Sequence, residues 1–214
     1  MIQVKHISHS FRGQAVLKDV TVDFDQGKIH GIVGNNGSGK TLLFKVIAGY
    51  LRPQQGEVVV DGVVLGDKQD FPPSLGMILE TPSFLSSEDA YTNLSLLWSL
   101  RGKPDRAAIE ETLKRVGLGD VGKKRVGKFS LGMRQRLGIA QAIMESPKLL
   151  ILDEPFNGLD KQGVQDIRAL LLSLKREDVT MLISSHIPGD IDMLCDTVHE
   201  MDNGVIRAIG ATKG

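Results

Sequence analysis

The segment Gly34-Asn35-Asn36-Gly37-Ser38-Gly39-Lys40-Thr41 constrains this chain more than any other part of it. It satisfies the phosphate-loop pattern G-x-x-x-x-G-K-[ST] in full. The glycines let the backbone wrap closely around phosphate groups with its N–H groups pointing inward. A helix that starts at the end of the loop adds the positive end of its dipole. Lys40 supplies a compact positive charge for the β- and γ-phosphates, and the Thr41 hydroxyl is suited to Mg²⁺. The flanking sequence fits. Lys28-Ile29-His30-Gly31-Ile32-Val33 reads as a strand, and Thr41 to Ala48 reads as a helix stopped by Gly49. A plain glycine turn would require neither the lysine–threonine pair nor this strand–loop–helix context.

The chain has 214 residues, enough for one large domain or one domain with an inserted subdomain. Its first third reads as strands and hairpins. Val20-Thr21-Val22-Asp23-Phe24 alternates with period two, and the Gln26-Gly27 turn leads into the strand before the loop. Glu57 to Leu65 is a hairpin signal turning at Asp61-Gly62. Residues 85–146 change character. Tyr91, Leu94, Leu97 and Trp98 recur at helical spacing, as do Ile109, Leu113 and Val116. The face carrying Tyr91 and Trp98 reads first as core, and second as the lining of a groove for a partner's helix. The last third returns to strands. Lys148-Leu149-Leu150-Ile151-Leu152 is apolar throughout, as expected of a strand buried on both faces of a parallel sheet. A helix near 161–174, a strand over 180–184 and a terminal hairpin turning at Asp202-Asn203-Gly204 follow. Cys195 lies in an apolar run and reads as a buried small hydrophobe in a reducing compartment.

Two further groups carry chemistry. Asp153-Glu154 directly follows the buried strand, and ligand-binding groups of open parallel sheets gather at the carboxyl ends of strands. Asp153 is placed to hold Mg²⁺ and Glu154 to orient and polarise an attacking water. A turn or helix cap is the plainer use of Asp-Glu-Pro. His186 follows the strand 180–184, so a phosphate loop, an acidic pair and an imidazole converge on one sheet edge, where the imidazole can bond a γ-phosphate and its water. His6, His9, His30 and His199 read as surface or capping histidines.

With these residues in place, the order of motifs resembles the ABC ATPase family along essentially the whole chain. Phe129-Ser130-Leu131-Gly132-Met133, followed by Arg134-Gln135-Arg136-Leu137, is similar to the family's signature and lies just before the 149–154 segment, as the family requires. Asn157-Gly158-Leu159-Asp160 resembles its D-loop and His186 its switch histidine, and Phe11 stands where the family has an aromatic that stacks on adenine. The resemblance implies an α/β fold, a P-loop NTPase of ABC type. It would have a mixed sheet core, an N-terminal antiparallel β subdomain and an inserted helical subdomain. The catalytic core would span about 1–84 and 147–214 and the helical subdomain about 85–146. It implies ATP bound by Phe11, Gly34, Asn35, Asn36, Gly37, Ser38, Gly39, Lys40, Thr41 and Glu80. Mg²⁺ would be held by Thr41, Glu80 and Asp153, with Glu154 and His186 in catalysis. Ser130, Leu131, Gly132 and Met133, at a helix start that doubles as an anion site, would close on the γ-phosphate of a second ATPase subunit in a head-to-tail dimer, expected to be a homodimer, with Asp160 in the D-loop.

The chain departs from the family pattern at Leu131, usually glycine, at Met133, usually glutamine, and at Glu80, also usually glutamine. Leu79-Glu80-Thr81-Pro82-Ser83-Phe84 together with Phe129 to Met133 is similar to the ATPase subunits of bacteriocin and lantibiotic immunity and bacitracin-resistance exporters. The implied function is to power transport by a separate transmembrane permease. No apolar run approaches the roughly 18 residues of a membrane helix, and Met1 to Lys5 is no signal peptide, so a cytosolic chain held on the inner face of the membrane by its partner is expected. Soluble ABC ATPases of DNA repair or translation are the rival class. Repair types carry a long coiled coil in the helical region, whereas 49 residues separate Glu80 from Ser130 here, and translation types carry two ATPase units. The balance of 26 basic and 26 acidic side chains argues against nucleic acid as a partner. The basic run Lys123-Lys124-Arg125 with Lys128 reads as a solvated loop. A small-molecule kinase would leave the signature and His186 unexplained.

Overall fold

The computed structural model describes residues 1–67, 69–80, 82–185, 191 and 193–211. The chain builds two sheets. Strands β1 (Ile2–Phe11), β2 (Gln14–Phe24), β4 (Gln55–Val60) and β5 (Val63–Val64) form an antiparallel sheet in the order β2-β1-β4-β5. Strands β3 (Ile29–Val33), β6 (Leu75–Ile78), β7 (Leu149–Leu152), β8 (Thr180–Ser185), β9 (Thr197–Asp202) and β10 (Val205–Ala211) form a second sheet in the order β10-β9-β3-β8-β7-β6. That sheet is parallel except for the terminal β9–β10 hairpin. The Gln26-Gly27 turn therefore does not close a hairpin, because β2 and β3 belong to different sheets.

The six-stranded sheet separates two cores, and successive residues of its central strands feed them alternately. From β7, Leu150 and Leu152 join one cluster, while Leu149 and Ile151 join the other. Strand β8 divides in the same way, Met181 and Ile183 against Leu182. This explains the continuous apolar runs, since a strand covered on both faces has no solvent side. One face is covered by helix α1 (Lys40–Ile47) and the antiparallel sheet. The other is covered by α4 (Leu131–Ile143) and α5 (Lys161–Arg176).

Between β6 and β7 run α2 (Ala90–Ser99), α3 (Arg106–Arg115) and α4, the helical insert expected from the spacing of apolar residues. Their starts are written in the sequence. Asp89, Asp105, Ser130 and, for α5, Asp160 each accept a hydrogen bond from a backbone N–H three residues on. Leu94 is fully buried, and Tyr91, Leu97 and Trp98 are partly buried against the same core, so this face is at least in part interior. Lys123 reaches Asp89 at 3.1 Å from an exposed loop, and Cys195 is buried.

Strand β1 is the element that periodicity hides. Its pairing slips between Val4 and Ile7 and again on either side of His9, and His6 takes φ 53°. The bulge moves the inward residues from even to odd positions, Ile2 and Val4 and then Ile7 and His9.

Three of the histidines assigned to the surface are buried: His9, His30 and His199. His30 Nδ1 lies 2.7 Å from Thr197 Oγ1 and its Nε2 lies 2.9 Å from the Asp25 carbonyl oxygen. Phe24 stacks edge-on against both His30 and His199, with ring centroids 5.2 and 5.4 Å apart. Burial pushes both imidazoles below the ordinary histidine value. The Asp25 carbonyl and carboxylate oppose this at His30, and the neighbouring His30 adds to it at His199. A histidine depressed in the folded state is protonated first in the unfolded chain. Its stabilising contribution is therefore present above the unfolded value of 6.5 and is lost as pH falls below it. Thermal melts are expected to show Tm falling as pH drops below about 6.5, with a shallower slope in His30→Asn and His199→Asn. Equal slopes in all three proteins would assign the effect to other groups.

Candidate active site

The phosphate loop leaves the carboxyl end of β3 and enters α1. Its shape requires glycine at three places: Gly34, Gly37 and Gly39 have φ of 153°, 80° and 112°. A side chain on Gly34 would collide with the Met201 carbonyl, and one on Gly39 would lie 3.2 Å from the Val16 carbonyl. The loop is thus pressed against the β9–β10 turn and β2. The Gly204 N–H donates to the Ser38 carbonyl at 2.9 Å, and the Lys18 N–H donates to the Gly204 carbonyl at 2.9 Å. Gly37, in contrast, faces open space.

The residues present suit a bound phosphate chain. Among the described helices longer than one turn, α1 is the one whose start has no side-chain cap. Its first-turn N–H groups are therefore not occupied by a capping oxygen. The Ser38 hydroxyl is buried and has no protein partner, a costly arrangement unless a ligand completes it. Lys40, also buried, folds back to donate to the carbonyls of Gly34 (2.7 Å) and Asn35 (3.1 Å). Phe11 is half-exposed at the β1–β2 turn, its ring 4.7 Å from that of His9.

Beside the loop, Asp153 lies at the end of β7, nearly buried. Its two carboxylate oxygens each accept a short bond of 2.5 Å, one from Thr41 Oγ1 and one from Ser184 Oγ. The Glu154 N–H in turn donates to Ser184 Oγ at 2.9 Å. Glu154 itself adopts φ 50° and is only partly buried. The pairing of phosphate loop and acidic pair is therefore met in space. His186 lies outside the described residues. Glu80 (φ 64°) pairs with Lys45 Nζ at 2.5 Å and is not a partner of Thr41 or Asp153.

The signature residues cap and begin α4. Ser130 Oγ accepts from the Met133 N–H at 3.2 Å, and Asp160 Oδ1 accepts from the Gly163 N–H at 2.8 Å at the start of α5. Leu131 is half-exposed and lies over Gly158. Two residues have a place at the site that the sequence reading did not give them. Ser184 is a fully buried polar residue in an apolar strand. Gln135 is a buried amide on α4 whose Nε2 donates to the carbonyls of Pro155 (3.1 Å) and Glu154 (3.4 Å). Each could have been found as a polar residue on an otherwise apolar face.

Comparison with known proteins places this geometry. A family model described as ABC transporter matches residues 17–157. Over 204 residues the chain is 40% identical to the uncharacterized ABC transporter ATP-binding protein YybJ of Bacillus subtilis (strain 168), covering 95% of this chain and 94% of that protein. It is 35% identical to the lantibiotic transport ATP-binding protein SrtF of Streptococcus pyogenes, with 96% and 89% covered, and 38% identical to the bacitracin transport ATP-binding protein BcrA of Bacillus licheniformis, with 95% and 67% covered. Its fold is that of the dimeric ATP-binding cassette MJ0796 bound to ADP and Pi, with a TM-score of 0.90 over 100% of both chains at 22% identity. The chain belongs to the ABC transporter family, as one of the ATP-binding subunits that hydrolyse ATP.

The Leu131 departure generates a test. A Cβ on Gly158 (φ 76°) would lie 2.5 Å from Leu131 Cγ. Gly158→Ala is expected to cost about 1 kcal/mol for the left-handed backbone, plus a clash term of about 1–3 kcal/mol. Denaturant melts should show Leu131→Gly recovering the clash term and leaving the backbone term. Additive losses in the double variant would show that the two residues do not meet.

Proposed function

We propose that this chain powers a separate membrane permease, exporting a peptide antibiotic or a similar compound. The carrying observation is the buried Asp153, bonded to Thr41 of the phosphate loop and followed directly by Glu154. The transport names of SrtF and BcrA support the substrate class. No helix among the described residues is long and apolar enough to cross a membrane, so the proposed membrane attachment runs through the permease. A groove of about 350 Å³ lined by Lys45, Tyr50, Leu79, Glu80, Pro82 and Gln141 is the proposed docking place, consistent with a site on the inner, cytosolic face of the membrane.

In the proposed cycle, ATP lies with its adenine on Phe11 and its phosphates in the loop 34–41. Lys40 turns from its own loop carbonyls to the β- and γ-phosphates, and Ser38 gains the partner it lacks. Mg²⁺, held by Thr41 and Asp153 with Glu80 as a candidate third ligand, would supply positive charge to the phosphate oxygens. Glu154 polarises a water and takes its proton as the water oxygen attacks the γ-phosphorus. The bond from that phosphorus to the bridging oxygen breaks, and ADP leaves with the electron pair. His186 is proposed to bond the γ-phosphate. A second copy contributes Ser130, Leu131, Gly132 and Met133 across the site, with Asp160 at the same interface. Nucleic acid has no role in this reading.

Glu154→Gln is expected to retain ATP binding and lose turnover by ~10²–10⁴-fold, read by phosphate release against fluorescent-nucleotide binding. Near-normal steady-state hydrolysis would remove Glu154 from this role. For the shared site, Ser130→Arg and Lys40→Ala protomers are each expected to be inactive alone. Mixed, they should recover part of the wild-type rate, because each mixed dimer holds one intact site. Activity independent of protein concentration in a monomer would exclude a shared site.

A further inference from the structure

Glu154 holds a left-handed backbone (φ 50°), which a side-chain-bearing residue keeps only when its surroundings impose it. Two side chains hold the backbone on either side of it, alongside the Asn157 N–H, which donates to the Glu154 carbonyl at 3.2 Å. Ser184 of β8 is fully buried, and its hydroxyl accepts the Glu154 N–H at 2.9 Å while donating to Asp153. Gln135 of α4, 7% exposed, directs its amide at the two following carbonyls, Pro155 at 3.1 Å and Glu154 at 3.4 Å. Both neighbours are acceptors, so the NH₂ end of the amide must face them. Pro155 is buried. A carbonyl shut away from water at this turn needs a donor, and Gln135 supplies it.

The two halves of this clamp differ in origin. Ser184 belongs to the central sheet that also carries Asp153 and the strand leading to the phosphate loop. Gln135 belongs to the helical insert, in the second turn of the helix that Ser130 caps. We propose that Gln135 is a positioning residue for hydrolysis. Its amide fixes the Glu154–Pro155 backbone so that the Glu154 carboxylate faces the attacking water, and it makes that aim depend on where α4 sits. Displacing α4 from β7 withdraws this donor from the Pro155 and Glu154 carbonyls and loosens the Glu154–Pro155 turn on that side, while Ser184 still holds the Glu154 N–H and Asp153. This rests on the reading of Glu154 as the group that polarises water.

The experiment uses the full chain and single-turnover hydrolysis at saturating ATP, with ATP affinity measured separately. Gln135→Met keeps the length and bulk of the side chain and removes the N–H donor. Gln135→Asn keeps an amide that is one methylene short of both carbonyls. Both are expected to slow the chemical step by ~10–10²-fold, the scale of a small misplacement of a catalytic group, with ATP affinity within about twofold of wild type. In a Glu154→Gln background, where there is no carboxylate to aim, Gln135→Met should change the residual rate by less than about twofold. Wild-type turnover in both Gln135 variants, with Glu154→Gln slow, overturns the clamp and leaves Glu154 in its role. Normal turnover in Glu154→Gln removes Glu154, and the clamp with it. Equal slowing by Gln135→Met in both backgrounds, or weakened ATP binding in step with the rate, assigns Gln135 to folding or nucleotide binding and also overturns the proposal.

Discussion

The active end of this molecule is organised around one nearly buried carboxylate. A carboxylate removed from water is costly unless hydrogen bonds satisfy it. Asp153 meets that condition with two hydroxyls on different elements, Thr41 at the start of α1 and Ser184 at the end of β8. The requirement therefore works as a constraint on architecture. The ends of β7 and β8 and the first turn after the phosphate loop must meet within hydrogen-bond reach. Their parallel pairing, with Leu152 opposite Ile183 and Val33 opposite Ser185, delivers them there. The Glu154 peptide follows from the same contact, since its N–H shares Ser184 with Asp153.

Much of this was legible in the sequence because the chemistry is local. The phosphate loop is one contiguous segment whose glycines are demanded by its own backbone angles. The acidic pair sits on the end of a strand whose apolar run announces burial on both faces. The capping residues Asp89, Asp105, Ser130 and Asp160 mark helix starts by the side chain they carry. What escaped depends on tertiary contacts. The bulge at His6 breaks the alternation that would have revealed β1. The buried His30 could not be told from a surface histidine because Thr197, which its Nδ1 meets, is brought beside it only by the pairing of β3 with β9. Gln135 entered only as part of the run that follows the signature, with no role of its own, because the two carbonyls it serves lie 19 and 20 positions further along the chain.

Among the described residues, two contacts of the helical insert with the site are of opposite character. Gln135 makes a directional contact with buried carbonyls, and Leu131 makes an apolar, space-filling contact above Gly158. The first is lost over a fraction of an ångström, because hydrogen bonds weaken steeply with distance and angle. The second tolerates sliding, because dispersion between side chains is non-directional. A rigid shift of α4 is therefore felt at the Glu154 peptide before it is felt at the α4–Gly158 packing. On the proposed reading, the site would report insert position to Glu154.

One departure from the family pattern, Glu80, is compensated locally. Where the family usually has a neutral amide, Glu80 adds a negative charge on the side of the site where a triphosphate already concentrates charge. Lys45, one turn beyond Thr41 on α1, pairs with it at 2.5 Å. The two side chains are 37% and 64% exposed, so the pair adds little to stability. Its consequence is electrostatic, because Lys45 offsets the charge that Glu80 adds and the pair as a unit carries no net charge. Any movement that separates Glu80 from Lys45, by a cation on one side or a partner in the groove on the other, exposes both charges at once. A neutral glutamine would make no such change. The substitution thus converts a position that is electrically silent in most of the family into one whose charge depends on what occupies the groove.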